Sequence, residues 1–138
     1  MMKKIFLLTI LTLCSGCWGE SHNPLSEVNI RASRDVQVKV IEATKQFGER
    51  NGFKVDVSNN LPREGRLIAQ ILLTRPDGVM VITSNFMNAE VLETDFYAEK
   101  PGEGWRTVKE KWLEEMRTEV GSQGQIIDVI LEEMPKNN

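Results

Sequence analysis

Histidine and cysteine are scarce in this chain of 138 residues, which contains one histidine and two cysteines. These residues are His22, Cys14 and Cys17, so all three lie near the N-terminus. After His22 the chain has no histidine and no cysteine. It therefore lacks the histidine base that a serine or cysteine nucleophile needs, and the histidine and cysteine ligands of a usual zinc site. We expect a non-enzymatic protein without metal or cofactor. We also expect no intrachain disulfide in the domain, which must be stabilised by its core alone.

Basic residues are fewer than acidic ones, with 17 Lys and Arg against 20 Asp and Glu. Loss of residues 1–16 would remove Lys3 and Lys4 and leave 15 basic and 20 acidic residues, a net charge of −5. Proteins that bind nucleic acids neutralise many phosphates with a basic surface. We therefore expect no nucleic-acid partner, and no polybasic patch for anionic lipids in this part of the chain.

Long apolar runs are absent as well, apart from one short stretch at the N-terminus. Two lysines, Lys3 and Lys4, precede nine mostly apolar residues from Ile5 to Leu13, and Cys14-Ser15-Gly16-Cys17 follows. A membrane-spanning helix needs roughly 20 apolar residues, so this stretch is too short to be a stable anchor. Positive charge, a short apolar segment and small residues in that order indicate an export signal.

The segment Ser15-Gly16-Cys17 resembles the lipobox of bacterial lipoproteins. In that family the cysteine thiol receives a diacylglyceryl group, the signal is cut just before it, and the new amine is usually acylated. The resemblance implies that residues 1–16 are a signal peptide and that Cys17 carries the lipid. The chain departs from the family at Cys14, where leucine is usual. The alternative is an ordinary secretory signal with cleavage nearby and two free or paired cysteines.

Lipidation at Cys17 would make the membrane a partner of this protein, because two or three acyl chains bind a bilayer durably. The expected localisation is the cell envelope. In a Gram-negative host, the resemblance favours the outer membrane facing the periplasm, since Trp18 rather than aspartate follows the cysteine. Residues 17–26 are polar and rich in turn formers, and we interpret them as a tether that reaches at most roughly 30 Å.

Residues 27–138 are the size of one domain, and the alternating and helical patterns within them predict an α+β fold. Helices are expected near 33–50 and 105–120. Strands are expected at 53–58, 67–74, 79–83 and 89–98, with a weaker one at 27–31. The tail at 125–134 suits a helix or a strand, and we favour a helix. The predicted architecture is a two-layer sandwich, with an antiparallel sheet of about four strands and two or three helices.

Two groups of residues are candidates for partner binding. The strands expected at 67–74 and 79–83 form a central hairpin across the turn at 75–78. Arg63 and Arg75, with Arg66, surround this hairpin and could meet an anionic partner or lipid headgroups. Phe86 and Met87 form an apolar pair at an expected turn, where an exposed loop rarely needs both. Their alternative role is to fold back over the sheet.

Other conspicuous side chains have a structural explanation. The acidic residues of the strand near 89–98 alternate with apolar ones, which is typical of a solvated sheet face; they are Glu90, Glu93, Asp95 and Glu99. Their spacing does not match a calcium-binding EF-hand loop. Trp105 and Trp112 follow the helical repeat and are expected in the core.

These observations predict a membrane-anchored envelope lipoprotein that is not an enzyme and that binds another protein or supports an assembly. The alternative is an inhibitor or immunity lipoprotein that blocks a toxin or a wall-degrading enzyme with its acidic face. An enzyme would require a deep polar pocket that holds Asp56, Glu93 or Asp95.

Overall fold

The computed structural model describes residues 23–63, 66–85, 88, 90–100, 102 and 104–131, with only the backbone described at 59–63 and 66–68. Cys17, Phe86 and Met87, and with them the signal peptide and the lipid anchor, lie outside the described residues.

Six strands and two helices make up the described part of the chain. In order they are β1 (Ser26–Ala32), α1 (Arg34–Arg50), β2 (Lys54–Arg63), β3 (Arg66–Thr74), β4 (Val79–Ser84), β5 (Val91–Ala98), α2 (Gly104–Val120) and β6 (Gly124–Ile130). The strands form one antiparallel sheet in the order β2-β3-β4-β5-β1-β6. Both helices pack on the same face of the sheet, and the fold is α+β.

The sheet has six strands where the sequence predicted about four. The weak strand near 27–31 is confirmed as β1, which pairs with β5 on one side and β6 on the other. The favoured helix at 125–134 is wrong for its described part, because Gly124–Ile130 is strand β6. When a seven-residue segment fits both a helical and an alternating pattern, its secondary structure depends on the element it pairs with. Here that element is strand β1.

Strand β2 is longer than expected, because it continues beyond the predicted end at residue 58. It runs to Arg63, with a shift in register between Ser58 and Leu61. Pro62 has no N–H to donate, but β2 is an edge strand of the sheet and tolerates it.

Two glycines shape α1: one follows its C-terminus, and the other lets the helix lie close to the sheet. Gly52 follows the helix with φ +79°, the left-handed conformation in which many helices end and which glycine adopts without strain. At Gly48, an added Cβ would lie 2.7 Å from Leu73 Cδ2 and 2.9 Å from Val55 Cγ2. A larger residue there would require the side chains of Leu73 and Val55, or the helix itself, to shift.

The core lies between the helices and one face of the sheet. Trp105 and Trp112 are buried, as their spacing predicted, and the Trp112 ring meets Phe96 edge-on at 5.5 Å between centroids. The α1 side of the core includes the fully buried Phe47. Ser26, which we assigned to the tether, is buried as the first residue of β1 and donates a hydrogen bond to Val129 O.

Candidate functional site

The sheet has a second face, opposite the helices, which we call the open face; no described helix or strand lies on it. In β1 and β5 every second residue is buried towards the helices, and the residues between them point to the open face. Those residues include Glu27 in β1 and Glu93, Asp95 and Tyr97 in β5.

Three carboxylates meet at the centre of the open face and form what we call the acidic cluster: Glu27, Glu93 and Asp95. Glu27 and Asp95 are directly opposite each other across β1 and β5. An oxygen from each of the three side chains lies within 4.8 Å of an oxygen from the other two. Asn29 donates a hydrogen bond of 2.9 Å to Glu27 Oε1. The cluster therefore concentrates like charges that elsewhere on a sheet would be kept apart.

Glu93 is the carboxyl of the cluster that most readily holds a proton at neutral pH. Burial raises its pKa to about 7, and the hydrogen bond with Glu27 and the negative charges of Asp95 and Glu27 act in the same direction. The sequence-based interpretation of the β5 carboxylates as a solvated face fits the exposed Glu90 and Glu99. It does not fit Glu93, which is half-buried among other acids.

Asp95 is also half-buried, and its Oδ1 atom is shielded from solvent without a hydrogen-bond partner. Burial raises the pKa of Asp95 to about 6, the charge of Glu27 adds to the rise, and the hydrogen bond with Glu93 opposes it. Burial and the three carboxylates likewise raise the pKa of the neighbouring Tyr97 to about 12.

The acidic cluster has two chemical capacities. Three carboxylates at this spacing can ligate a hard cation or accept a cationic side chain. A carboxyl whose pKa is near 7 can also exchange a proton at neutral pH. The carboxyls hydrogen-bond one another, however, so Glu93 and Asp95 do not flank an open gap as the acid pair of a glycosidase does.

Aliphatic side chains adjoin the acidic cluster on the open face. Strand pairing places Leu72, Ile82, Asp95, Glu27 and Val129 in one row across β3, β4, β5, β1 and β6. The solvent face of an antiparallel sheet is usually polar. This row instead joins a half-buried apolar pair to two carboxylates.

Asp56 is not part of this site. It lies opposite Leu72 on the edge strand β2, at the far end of the same row. Its side chain is exposed, and its Oδ2 atom is 3.7 Å from Lys54 Nζ. Three strand spacings of about 4.8 Å separate it from β5. The structure thus brings together Glu93 and Asp95 but not Asp56.

The arginines that we expected to surround the hairpin do not form one cluster. Arg63 and Arg66 are opposite each other at one end of β2 and β3, whereas Arg75 follows the other end of β3. The Arg75 guanidinium binds both carboxylate oxygens of Asp77, at 3.0 and 2.7 Å, and lies 4.8 Å from the centre of the Phe53 ring. Arg75 thus has a structural role in the β3–β4 turn.

Sequence reasoning missed Glu27. Its strand was weakly predicted, and nothing local indicated that it would lie opposite Asp95. The only signal was the alternation of Glu27 and Asn29 with Val28 and Ile30.

A groove of about 320 Å³ lies on the other side of the sheet, between α2 and β6. At its base Lys109, only 5% exposed, places Nζ 2.6 Å from Asp128 Oδ1. Arg106 lies against the Trp105 ring at 4.7 Å from its centre. The groove therefore contains an internal ion pair that joins α2 to β6.

None of the protein-family models matches this chain. No curated protein matches it significantly. Among the described residues, neither helix has the length and apolar composition needed to cross a membrane.

Proposed function

We propose that this protein is an envelope lipoprotein that is anchored by lipid on Cys17, binds another protein through the open face, and catalyses no reaction. The observation that supports the binding surface is the row in which Leu72 and Ile82 adjoin Asp95 and Glu27. A partner segment with a lysine or arginine beside apolar side chains complements that row in both charge and polarity.

The proposed anchor is supported by the order of residues 3–17: two lysines, a short apolar run, and Ser15-Gly16-Cys17. A tether from Cys17 to Pro24 would hold the domain within roughly 30 Å of the lipid headgroups, since Leu25 already hydrogen-bonds to Phe96 O in the sheet. In a Gram-negative host we propose the periplasmic side of the outer membrane.

The anchor is tested by expressing the full chain with Cys17→Ser and partitioning it between detergent and water. We expect the unsubstituted protein in the detergent phase and Cys17→Ser in the aqueous phase or retained as an unprocessed precursor without lipid. Cys14→Ser is the matched control and should stay in the detergent phase, since Cys14 leaves with the signal. Identical masses and partitioning for all three chains would disprove lipidation.

The binding surface is tested with a photo-reactive residue at position 82, on the open face, and another at position 114, on the exposed side of α2. We expect position 82 to crosslink one specific protein in intact cells and position 114 to crosslink none. Equal crosslinking from both positions, or none from position 82, would argue against binding through the open face.

A second candidate function is an inhibitor or immunity lipoprotein that blocks a toxin or a wall-degrading enzyme. The acidic cluster favours it, because a cationic side chain of the target would replace the proton that Glu93 holds. Cells without the protein would then be sensitive to that enzyme. Asp95→Asn should fail to restore protection, whereas the exposed control Glu119→Gln should restore it.

A further inference from the structure

Strand β6 is an edge strand of the sheet, and some of its backbone N–H and C=O groups point away from β1. Hydrogen-bonded pairs alternate along an antiparallel ladder. The Ala32 N–H donates to Glu90 O, so the backbone groups of Ala32 face β5. Because these groups point to opposite sides in successive residues, those of Arg31, Asn29 and Glu27 face β6 and bond to it. In β6, the partners of those residues are Gln125, Ile127 and Val129. The N–H and C=O groups of Ile126 and Asp128 therefore point outward from the edge.

The two edges of the sheet differ in how they resist pairing with another strand. Edge strand β2 contains Lys54, a shift in register and Pro62, all of which discourage a further strand. Strand β6 has the sequence GQIIDVI, with no proline, lysine or arginine. Its one charge, on Asp128, is paired with Lys109 of the same chain at 2.6 Å.

An exposed aliphatic side chain lies at the middle of this edge. Ile127 is 43% exposed and is one of three large hydrophobic residues among those described that are so accessible. It lies on the open face between Gln125 and Val129.

We infer that β6 pairs antiparallel with β6 of a second copy of this chain, about a two-fold axis at Ile127. In this register Ile127 is opposite itself, Ile126 is opposite Asp128, and Gly124 is opposite Ile130. Each hydrogen-bonded pair then joins two residues whose backbone groups both point outward. All seven residues of the strand take part.

The alternative registers are less favourable. A shift by one residue would place an outward-pointing backbone group opposite an inward-pointing one, so the ladder bonds could not form. A centre at Asp128 would place two carboxylates directly opposite each other, which is destabilising. A centre at Ile126 would extend into the Gly121 turn, where the chain leaves the strand. The register centred on Ile127 also covers the exposed aliphatic side chains.

Disulfide trapping of the full chain tests both the pairing and its register. Opposite residues in a non-hydrogen-bonded pair have Cα atoms about 4.5 Å apart, within the range of a disulfide. We expect Ile127→Cys to give a covalent dimer on mild oxidation. Gln125→Cys is the matched control on the same strand and face, and its two copies would be roughly 13 Å apart. The unsubstituted chain reports any linkage through Cys14 or Cys17.

Sedimentation of the unoxidised chain is the second measurement. We expect a dimer whose dissociation constant rises by at least about tenfold in Ile127→Lys, because charge on the edge opposes pairing. Val38→Lys, at an equally exposed valine of α1, should leave the dimer unchanged. A monomer at all concentrations, equal trapping of both cysteine variants, or trapping of Ile127→Cys only to a different protein would overturn the inference.

Discussion

The hydroxyl of Thr44 is buried between the two helices, where it accepts a hydrogen bond of 3.0 Å from the Trp112 indole N–H. The helical repeat predicted that Trp112 is buried, but it could not show which residue its indole N–H meets. The contact of Thr44 with Trp112 means that a buried polar pair joins the two helices, in addition to the Arg50–Glu115 ion pair nearer the surface. Such a pair specifies how α1 and α2 are aligned, since an unpaired indole N–H is costly.

Thr44→Val should therefore lower the free energy of unfolding by about 1–3 kcal/mol, because valine keeps the shape and removes the acceptor. Denaturant unfolding of the two proteins measures the difference. Thr118→Val is the control, since Thr118 is exposed on α2 and bonds only to its own helix. Its effect should stay within about 0.5 kcal/mol. Equal effects of the two substitutions would show that the contact with Trp112 contributes little.

Glu93 makes stability depend on pH. Its pKa is raised from 4.5 to about 7 in the folded protein, so between these values the folded state binds more protons than the unfolded state. Stability is accordingly expected to fall as pH rises from about 4.5 to about 7, and the penalty is complete above that range. Asp95, whose pKa is raised from 3.8 to about 6, acts in the same direction.

Glu93→Gln should remove much of this pH dependence and make the protein more stable at pH 8. The gain should be on the order of 1 kcal/mol, since solvent screens a half-buried carboxyl. Melting temperatures from pH 4 to pH 8 provide the measurement. Glu119→Gln, on the exposed side of α2, should leave the slope unchanged. An unaltered slope in Glu93→Gln would mean that the acidic cluster does not hold the extra proton.

At the scale of elements, the central hairpin, β3–β4, was predicted from two apolar, β-branched runs and the turn residues between them, and its turn depends on Gly78. This residue has φ +90°, and an added Cβ would lie 2.9 Å from Glu99 Cβ. Arg75 and Asp77 pair within the same turn. The β3–β4 turn thus combines a backbone requirement for glycine with an ion pair at its base.

Gly78→Ala should destabilise the fold by about 1–3 kcal/mol, because alanine meets both an unfavourable φ and a close contact. Gly104→Ala is the matched control at the start of α2. A methyl group there would meet Val79 and Asp77 at 3.7 and 3.8 Å, which are ordinary contacts. It should be neutral or stabilise by up to about 1 kcal/mol. Thermal unfolding of both variants tests the contrast, and equal loss in both would contradict it.

Strand β6 shows where local patterns stop being informative. Ile127, Ile130, Leu131 and Met134 suit a helix, and Ile127, Val129 and Leu131 suit a strand. The strand forms because it pairs with β1 along its whole length and because Asp128 forms an ion pair with Lys109 of α2. Neither partner is adjacent in sequence, so no local window contains the deciding contact.

At the scale of the whole molecule, stability comes from one core between the helices and the sheet. Residues 18–138 contain no cysteine, so no disulfide contributes. We expect the domain to unfold in a single reversible transition, because a chain of this size with one core is usually two-state.

A reducing agent should leave the unfolding midpoint of residues 18–138 unchanged. Denaturation monitored by circular dichroism, with and without the agent, provides the measurement. Tryptophan fluorescence should report the same midpoint, since Trp105 and Trp112 lie in the core. Separate transitions for the two probes would indicate that the helices and the sheet do not unfold together.

By itself, the sequence determined the helices, the central hairpin and the core tryptophans. Those features depend on helical periodicity and on turn residues, which are local properties of the chain. Tertiary structure alone decided that β6 is a strand, that Arg63 and Arg75 lie at opposite ends of a hairpin, and that Glu27 joins Glu93 and Asp95. Each of these depends on which strands become neighbours. The strand order is set by the burial of one sheet face against the helices. This strand order brings together residues that are far apart along the chain.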